Sequence, residues 1–224
     1  MNIAIIAAGG KSERLGKEVP KPFLRLHHLP IIVYSIRKFE SIGIQTHVVI
    51  PEEYTEMWLE IKSASEVQTP SYSFGKHTRY LSIKHAIDTL KIKPDIVFIH
   101  DAARPFFRPK LISQMLQKME NSNCCIPISP VTDTIKVIKN AEVEHTPDRS
   151  SLYATQTPMA INYSELKKRY ETNTDMSLTD ESQLFENDNQ TIKTVTSDPF
   201  NIKITHPHDL ILAEWIASNQ NNKS

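Results

Sequence analysis

Two periods of apolar and polar positions alternate along the first half of this chain. Asn2 to Ala8 (NIAIIAA) is a short apolar run of the kind that makes a strand buried on both faces. Pro30 opens a helical pattern through Phe39, with Val33, Ile36 and Phe39 on one face. His47–Ile50 reads as a second strand ended by Pro51, and Glu52 to Lys62 returns to helical spacing. Glu66 to Gly75 is poor in signals and reads as a short strand running into a loop. Leu81 to Leu90 is an amphipathic helix, and Asp95–His100 (DIVFIH) is a buried strand with Asp101 at its carboxyl end. Strand and helix in alternation predict an α/β fold with a doubly wound, mostly parallel sheet. In such sheets ligands collect at the carboxyl ends of the strands.

Beyond residue 108 the pattern continues and then breaks. Pro109 suits the first turn of a helix whose apolar face is Leu111, Ile112, Met115, Leu116 and Met119. Cys124 to Ser129 is another strand, short or bulged because of Pro127. Thr134–Ile138 and Glu142–His145, separated by Lys139-Asn140-Ala141, read as a β-hairpin. With no helix between them, residues 131–151 are expected to project as an arm from a single domain spanning 1–224. Leu152 to Gln156 returns to the body, Tyr163 to Glu171 is helical, and Asn173 to Asp180 is a polar loop. Thr191–Thr196 and Phe200–Thr205 read as late strands, and His206 starts a final helix through Trp215.

Composition narrows the classes of function. Lysine plus arginine balance aspartate plus glutamate at 26 each, so no global basic field points to nucleic acid or an anionic membrane. The longest apolar runs are strand-length, too short to cross a bilayer. The chain enters a strand pattern without a basic leader, which predicts a cytoplasmic protein. Cys124 and Cys125 are neighbours without metal-ligand spacing and are expected to pack as small hydrophobes.

Three of only five glycines, Gly9, Gly10 and Gly16, follow the first strand. A glycine pair there lets the backbone turn and bring its N–H groups close to an anion, with Arg14 and Lys21 beside it as fixed positive charge. The same pair also serves as an ordinary tight turn. A Walker loop is excluded, because five residues rather than four separate Gly10 from Gly16-Lys17, and Glu18 follows. The dinucleotide pattern fails because Lys11 or Ser12 occupies its second glycine position. Asp101 has two readings: a Mg²⁺ ligand beside a nucleoside triphosphate, or a cap for the next turn. Ala102 and Ala103 favour the first by leaving room against the backbone. His100, and likewise His206 and His208, are expected to do local structural work, since no second ligand stands at metal spacing.

Several blocks occur in a set order. They are Ala7-Ala8-Gly9 with Arg14 and Pro20-Lys21, then Gly75, Arg79 and Ser82, then His100-Asp101-Ala102-Ala103-Arg104-Pro105. Pro130 to Lys136 (PVTDTIK), Arg149 to Leu152 (RSSL), Gln156-Thr157-Pro158, Thr179-Asp180-Glu181 and Asn201 to Thr205 (NIKIT) follow. In these the chain resembles the 2-C-methyl-D-erythritol 4-phosphate cytidylyltransferase family, with a sister group acting on ribitol 5-phosphate. The resemblance implies CTP held by Ala7, Ala8, Gly9 and Gly10, with Arg14 and Lys21 on the triphosphate. It implies Gly75, Ser82 and Ala102 at the cytosine and ribose, and Mg²⁺ on Asp101. It implies Thr134 and Arg149 on the polyol phosphate, reaching from the arm into the neighbouring subunit of a homodimer. Thr157 and Lys203 would complete that site, and Lys203 with Arg14 and Lys21 would carry catalysis. The chain departs from the family pattern in one extra residue before Lys21, in Gly75-Lys76-His77, and in Met159 after Thr157-Pro158. Ala102-Ala103 and the Arg149 block lean to the methylerythritol branch, while Gly9-Gly10-Lys11 and the residues from Pro20 to Leu24 share features with the ribitol branch. A nucleotide-binding module without catalysis would need the loop alone.

Overall fold

The structure, a computed structural model, describes residues 1–9, 19–68, 70–186 and 192–220. Strand β1 (Asn2–Ala7) lies at the centre of the main sheet because every side chain from Ile3 to Ile6 is buried. Past a 3-10 turn at Lys21–Phe23, β2 (Arg25–Leu26) and β3 (Leu29–Pro30) pair as a small ribbon. Pro30 leads into α1 (Ile31–Glu40). Then follow β4 (Gln45–Ile50), α2 (Thr55–Ala64), β5 (Ser71–Phe74), α3 (Arg79–Thr89), β6 (Ile96–Asp101) and α4 (Pro109–Met119). Strands β5, β4, β1 and β6 stand side by side and all parallel.

Odd and even positions of these strands serve opposite faces of the sheet. Ala4, Ile6, Val48 and Phe98 pack with Ile32, Ile36 and Phe39 of α1, Trp58 of α2, and Leu111 and Met115 of α4. Ile3, Ile5, Val97 and Ile99 pack on the other side with Tyr80, Ile83 and Ile87 of α3 and with Leu166 and Tyr170 of α5 (Tyr163–Thr172). Each fully buried side chain of this size contributes about 1.5–3 kcal/mol, so a one-residue slip in register would be prohibitive. That alternation fixes which residues reach the carboxyl edge together.

Beyond β6 the sheet becomes mixed. Strand β7 (Cys124–Pro130) is followed by a separate two-stranded sheet of β8 (Val137–Lys139) and β9 (Glu142–His145). Asn140 and Ala141 both take positive φ, 51° and 65°, which matches the turn that joins twisted antiparallel strands. The first hairpin strand is shorter than its sequence suggests, and Thr134 to Lys136 are not part of it. Next come β10 (Tyr153–Thr155) and β11 (Met159–Asn162), both antiparallel to β7, then α5, β12 (Ile192–Thr196) parallel to β7, and α6 (Pro207–Gln220). Cys124 and Cys125 are buried in β7 as free thiols.

Two expectations need correction, and one strand has no counterpart among them. The segment before Gly75 runs from loop into strand, not strand into loop. Met159–Asn162 forms a strand wedged between β6 and β7 that the sequence pattern hides. Phe200–Thr205 is not a strand: its polar backbone atoms bond to scattered partners, as with Ile204 N–H on the Ala103 carbonyl (2.9 Å). Among the described residues no helix is long and apolar enough to cross a membrane.

Candidate active site

Pairing of β1 with β6 sets Ala7 opposite Asp101, so the two chains leave the sheet side by side. A cleft of about 270 Å³ opens there. Ala7, Gly9, Lys21, Arg79, Ser82, Asp101 and Lys203 line it, with Lys76 to Thr78 and Thr205. Two cations predicted for the site, Lys21 and Lys203, thus meet the predicted metal ligand across one cavity. Arg14 and Gly10 lie outside the described residues.

Each cation is aimed by an anchored neighbour. Lys21 sits in a 3-10 turn framed by Pro20 and Pro22, with Phe23 buried behind it against the Tyr54 ring. Lys21 Nζ reaches the Thr205 carbonyl at 3.4 Å. Lys203 lies between two residues that are fully buried, Asn201 and Ile204. Asn201 Nδ2 donates to Gln156 Oε1 and to the Thr157 carbonyl, both at 3.0 Å, while Arg104 donates to the Asn201 carbonyl. With its flanks held, half-exposed Lys203 reaches Asp101 Oδ2 at 2.7 Å. Positions 201 and 204 face inward and 203 faces the cleft, a spacing of three that a strand does not have.

Asp101 is the floor charge. Burial alone would raise its pKa, but Arg79 and then Lys203 outweigh it and hold the carboxyl well below the usual carboxylate range. It is ionised at neutral pH. Arg79 contributes Nε at 3.4 Å to Asp101 Oδ1, while its Nη1 donates to both oxygens of Glu181 at 2.8 and 2.7 Å. Glu181 is buried at the first position of a 3-10 turn capped by Asp180. A row of alternating charge, Lys203–Asp101–Arg79–Glu181, therefore crosses the cleft wall.

Beneath the floor, His100 is fully buried, with its ring nitrogens 3.0 Å from Ser35 Oγ and 3.1 Å from Thr157 Oγ1. Burial pushes its pKa down to about 3, so the ring is neutral and structural. Thr157 Oγ1 also accepts the Asp101 N–H at 3.0 Å. The structure thus puts Thr157 under Asp101, buried, and not among the cleft-lining residues.

Other predicted residues fall into three groups. Ala8 and Ala102 are fully buried, and their N–H groups go to the Val49 and Ala7 carbonyls at 2.8 and 3.1 Å. They form the packing behind the wall. Ser82 lines the cleft and organises it: its Oγ accepts the Lys76 N–H at 2.8 Å and donates to the Thr78 carbonyl at 2.7 Å. Gly75 lies just behind, where an added Cβ would meet Ser82 Oγ at an ordinary 3.6 Å. At Gly9 an added Cβ would meet nothing within 4 Å, so packing inside the chain does not demand glycine there. Thr134 and Arg149 form the third group. Both are exposed, neither lines the cleft, and Arg149 donates to the Thr132 carbonyl at 2.8 Å.

Arg79 and Glu181 were visible in sequence as parts of ordered blocks, but no local signal pairs residues 102 positions apart. The α3 N-terminus, capped by Thr78, adds a second feature that local reading passed over. Its dipole and Arg79 favour negative charge in the cleft. Such a cavity, with cations on both rims and one carboxylate on the floor, can hold a polyphosphate and stabilise charge developing on it.

Comparison with known proteins converges on one group. The family model described as IspD, 2-C-methyl-D-erythritol 4-phosphate cytidylyltransferase, matches residues 2–219. A protein of that name from Clostridioides difficile is 34% identical over 221 residues, covering 96% of this chain and 93% of its own. One from Thermotoga neapolitana is 32% identical over 218 residues, covering 97% of each. Among solved structures, 4-diphosphocytidyl-2C-methyl-D-erythritol synthase from Anaerococcus prevotii superposes with a TM-score of 0.85 at 25% identity, over 97% of this chain and 96% of that one. The Thermus thermophilus 2-C-methyl-D-erythritol 4-phosphate cytidylyltransferase has the same fold, with a TM-score of 0.76 at 23% identity over 97% of this chain and 100% of that one.

Proposed function

We propose a reaction for this chain from one premise: it belongs to the 2-C-methyl-D-erythritol 4-phosphate cytidylyltransferase family. It transfers the cytidylyl group of CTP to 2-C-methyl-D-erythritol 4-phosphate and releases pyrophosphate. An oxygen of the acceptor phosphate attacks the α-phosphorus of CTP as the bond to the bridging β-phosphate oxygen breaks. A phosphate monoester is largely dianionic near neutral pH, so no protein base is needed to activate it. The protein's work is to align two anions and to neutralise charge at the α-phosphate. Lys21 and Lys203, on facing rims, do this in our reading, with Arg14 joining them on the triphosphate. Ser82 holds the Lys76–Thr78 turn where the base and ribose would rest.

The observation that carries this reading is the meeting of Lys21, Asp101 and Lys203 in one cleft at the carboxyl ends of β1 and β6. Asp101 is the one carboxylate among the residues lining it, and the described residues contain no cluster of three or more metal-ligand side chains. That donor set fits Mg²⁺, which binds through one or two carboxylates and otherwise through substrate phosphates and water. Asp101 would hold the ion, and when bound it supplies neutralisation of the triphosphate. Thr134 and Arg149 lie off the cleft, so we assign them to the cleft of a second subunit, reached by the hairpin arm of a homodimer.

Pyrophosphate release tests the reading. The protein is mixed with Mg²⁺, each of the four nucleoside triphosphates, and either methylerythritol phosphate or ribitol 5-phosphate. Release only with CTP and methylerythritol phosphate is expected. Turnover confined to ribitol 5-phosphate, or none with CTP, would overturn it.

A further inference from the structure

From the charge row on the cleft wall we infer that Glu181 is a positioning residue for the transfer: it fixes the Arg79 guanidinium so that Asp101 stays available to Lys203 and the ligand. This rests on the reaction proposed above. Arg79 stands between two carboxylates but is not shared evenly. Its Nη1 lies 2.8 and 2.7 Å from the Glu181 oxygens, whereas its Nε is 3.4 Å from Asp101 Oδ1. Glu181 holds Arg79, and Asp101 is touched only at the margin of a hydrogen bond. Asp101 keeps its short contact for Lys203, at 2.7 Å to Oδ2.

The anchor is itself fixed. The Glu181 side chain is 1% exposed, against 30% for Arg79. Tyr170 Oη donates to its Oε1 at 3.4 Å from α5. Asp180 caps the turn that carries it through a reciprocal pair with Gln183. A carboxylate so placed cannot follow Arg79 if the arginine moves, whereas Arg79 can follow Asp101. Without the Glu181 charge, Arg79 is drawn fully onto Asp101, the strongest remaining negative charge beside it, and Lys203 loses its partner. The cleft would keep every lining residue and lose their arrangement.

The test uses the full chain and four variants: Glu181→Gln, Glu181→Asp, Arg79→Gln and the Glu181→Gln/Arg79→Gln double. Misplacing catalytic groups by about an ångström costs on the order of a hundredfold, so Glu181→Gln is expected to lose turnover on that scale. Its thermal midpoint should fall less than that of Arg79→Gln, which leaves the Glu181 charge buried without its main partner, and Glu181→Asp should recover part of the rate. The double variant should be no slower than Arg79→Gln alone, because Glu181 acts through Arg79. The Nε–H resonance of Arg79 in the ¹⁵N-labelled protein should shift in Glu181→Gln, a change that a merely structural role elsewhere would not produce. If Glu181→Gln fails to fold, the cycle is run with Glu181→Asp. Additive losses in the double variant, or a full rate with an unmoved Arg79 resonance, overturn the inference. If the parent shows no transfer from CTP, the reaction is wrong, and the Arg79 resonance alone then decides whether Glu181 fixes the guanidinium.

Discussion

The cleft and the hairpin both carry residues expected to bind phosphate, yet they are built on opposite principles. In the cleft, Asp101 and Glu181 are sunk into the protein with Arg79 between them, and a hydrogen-bonded layer of His100, Thr157 and Asn201 lies beneath Asp101. In the hairpin, Ile138 and Val143 are 56% and 60% exposed, and after it Arg149, in a 3-10 turn over Arg149–Ser151, donates to a backbone carbonyl. A buried charge must be paired to exist at all, so the geometry of the cleft is over-determined by this chain alone. An exposed two-stranded ribbon is at best marginally stable by itself. One region is fixed by buried contacts of its own; the other has few among the described residues.

The sharpest way to break this contrast is to unpair the buried side. Arg79→Ala leaves Glu181 with its charge desolvated and its main partner gone. Breaking a buried pair from one side costs about 3–5 kcal/mol, and urea denaturation should show a loss of that size. The same substitution at exposed Arg149 should move stability by no more than about 0.5 kcal/mol. Equal losses at the two sites would erase the distinction.

Lys203→Ala probes function where Arg79→Ala probes stability. Removing one preorganised charge donor typically costs about 10²–10³ in turnover, and that loss is expected here in a pyrophosphate-release assay. The fold should survive, because Lys203 is 47% exposed and its anchors Asn201 and Ile204 remain. A rate near the parent's would remove Lys203 from the transfer.

The floor should also make stability depend on pH. His100 is buried neutral with a pKa near 3, and burial likewise pushes His47 to about 4. Both folded values lie below the unfolded value of about 6.5. Between those limits the unfolded chain binds protons that the folded chain does not. The contribution is complete above about pH 6.5 and is lost as pH falls toward 3 or 4. By pH 5 each histidine should have cost about 2 kcal/mol, measurable as a lowered denaturation midpoint relative to pH 7. His100→Gln should flatten that slope by about half. An unchanged slope would mean the floor is wetter than its packing indicates.

How much of this was legible in the sequence follows the same division. Strands β1 and β6 announce themselves because burial on both faces writes a continuous apolar run, and their carboxyl ends locate Gly9 and Asp101. Met159–Asn162 does not, since four residues after a proline, with Asn162 serving as the α5 cap, look like a lead-in to a helix. The run after Phe200 gave a false strand because Ile202 and Ile204 alternate with polar residues. Only the three-dimensional partners of Asn201 reveal why that polar position faces inward as Ile204 does. Lys21 stands out beside the glycine turn and Lys203 through an ordered block, while the Arg79–Glu181 pair has no local signal, because it spans α3 and a turn after α5. Periodicity reports which way a residue faces, never what stands opposite it.

The smallest expected effect bears on the hairpin. If Arg149 grips the acceptor phosphate of a neighbouring cleft, Arg149→Ala should raise KM for methylerythritol phosphate about tenfold, the worth of one charge-assisted hydrogen bond, and leave KM for CTP unchanged. Geometry allows a stricter version. Mixing Arg149→Ala with Lys203→Ala subunits under exchange conditions yields hybrid dimers in which one cleft carries both lesions and the other carries neither. With acceptor kept below KM, about half the dimers are hybrids with one intact site of two, so activity should rise toward about a quarter of the parent's. If both residues served the same subunit's cleft, each hybrid site would carry one lesion, and mixing would restore nothing. Recovery would mean that the exposed arm takes its working shape from a second copy of the preorganised cleft; no recovery would return Arg149 to its own chain.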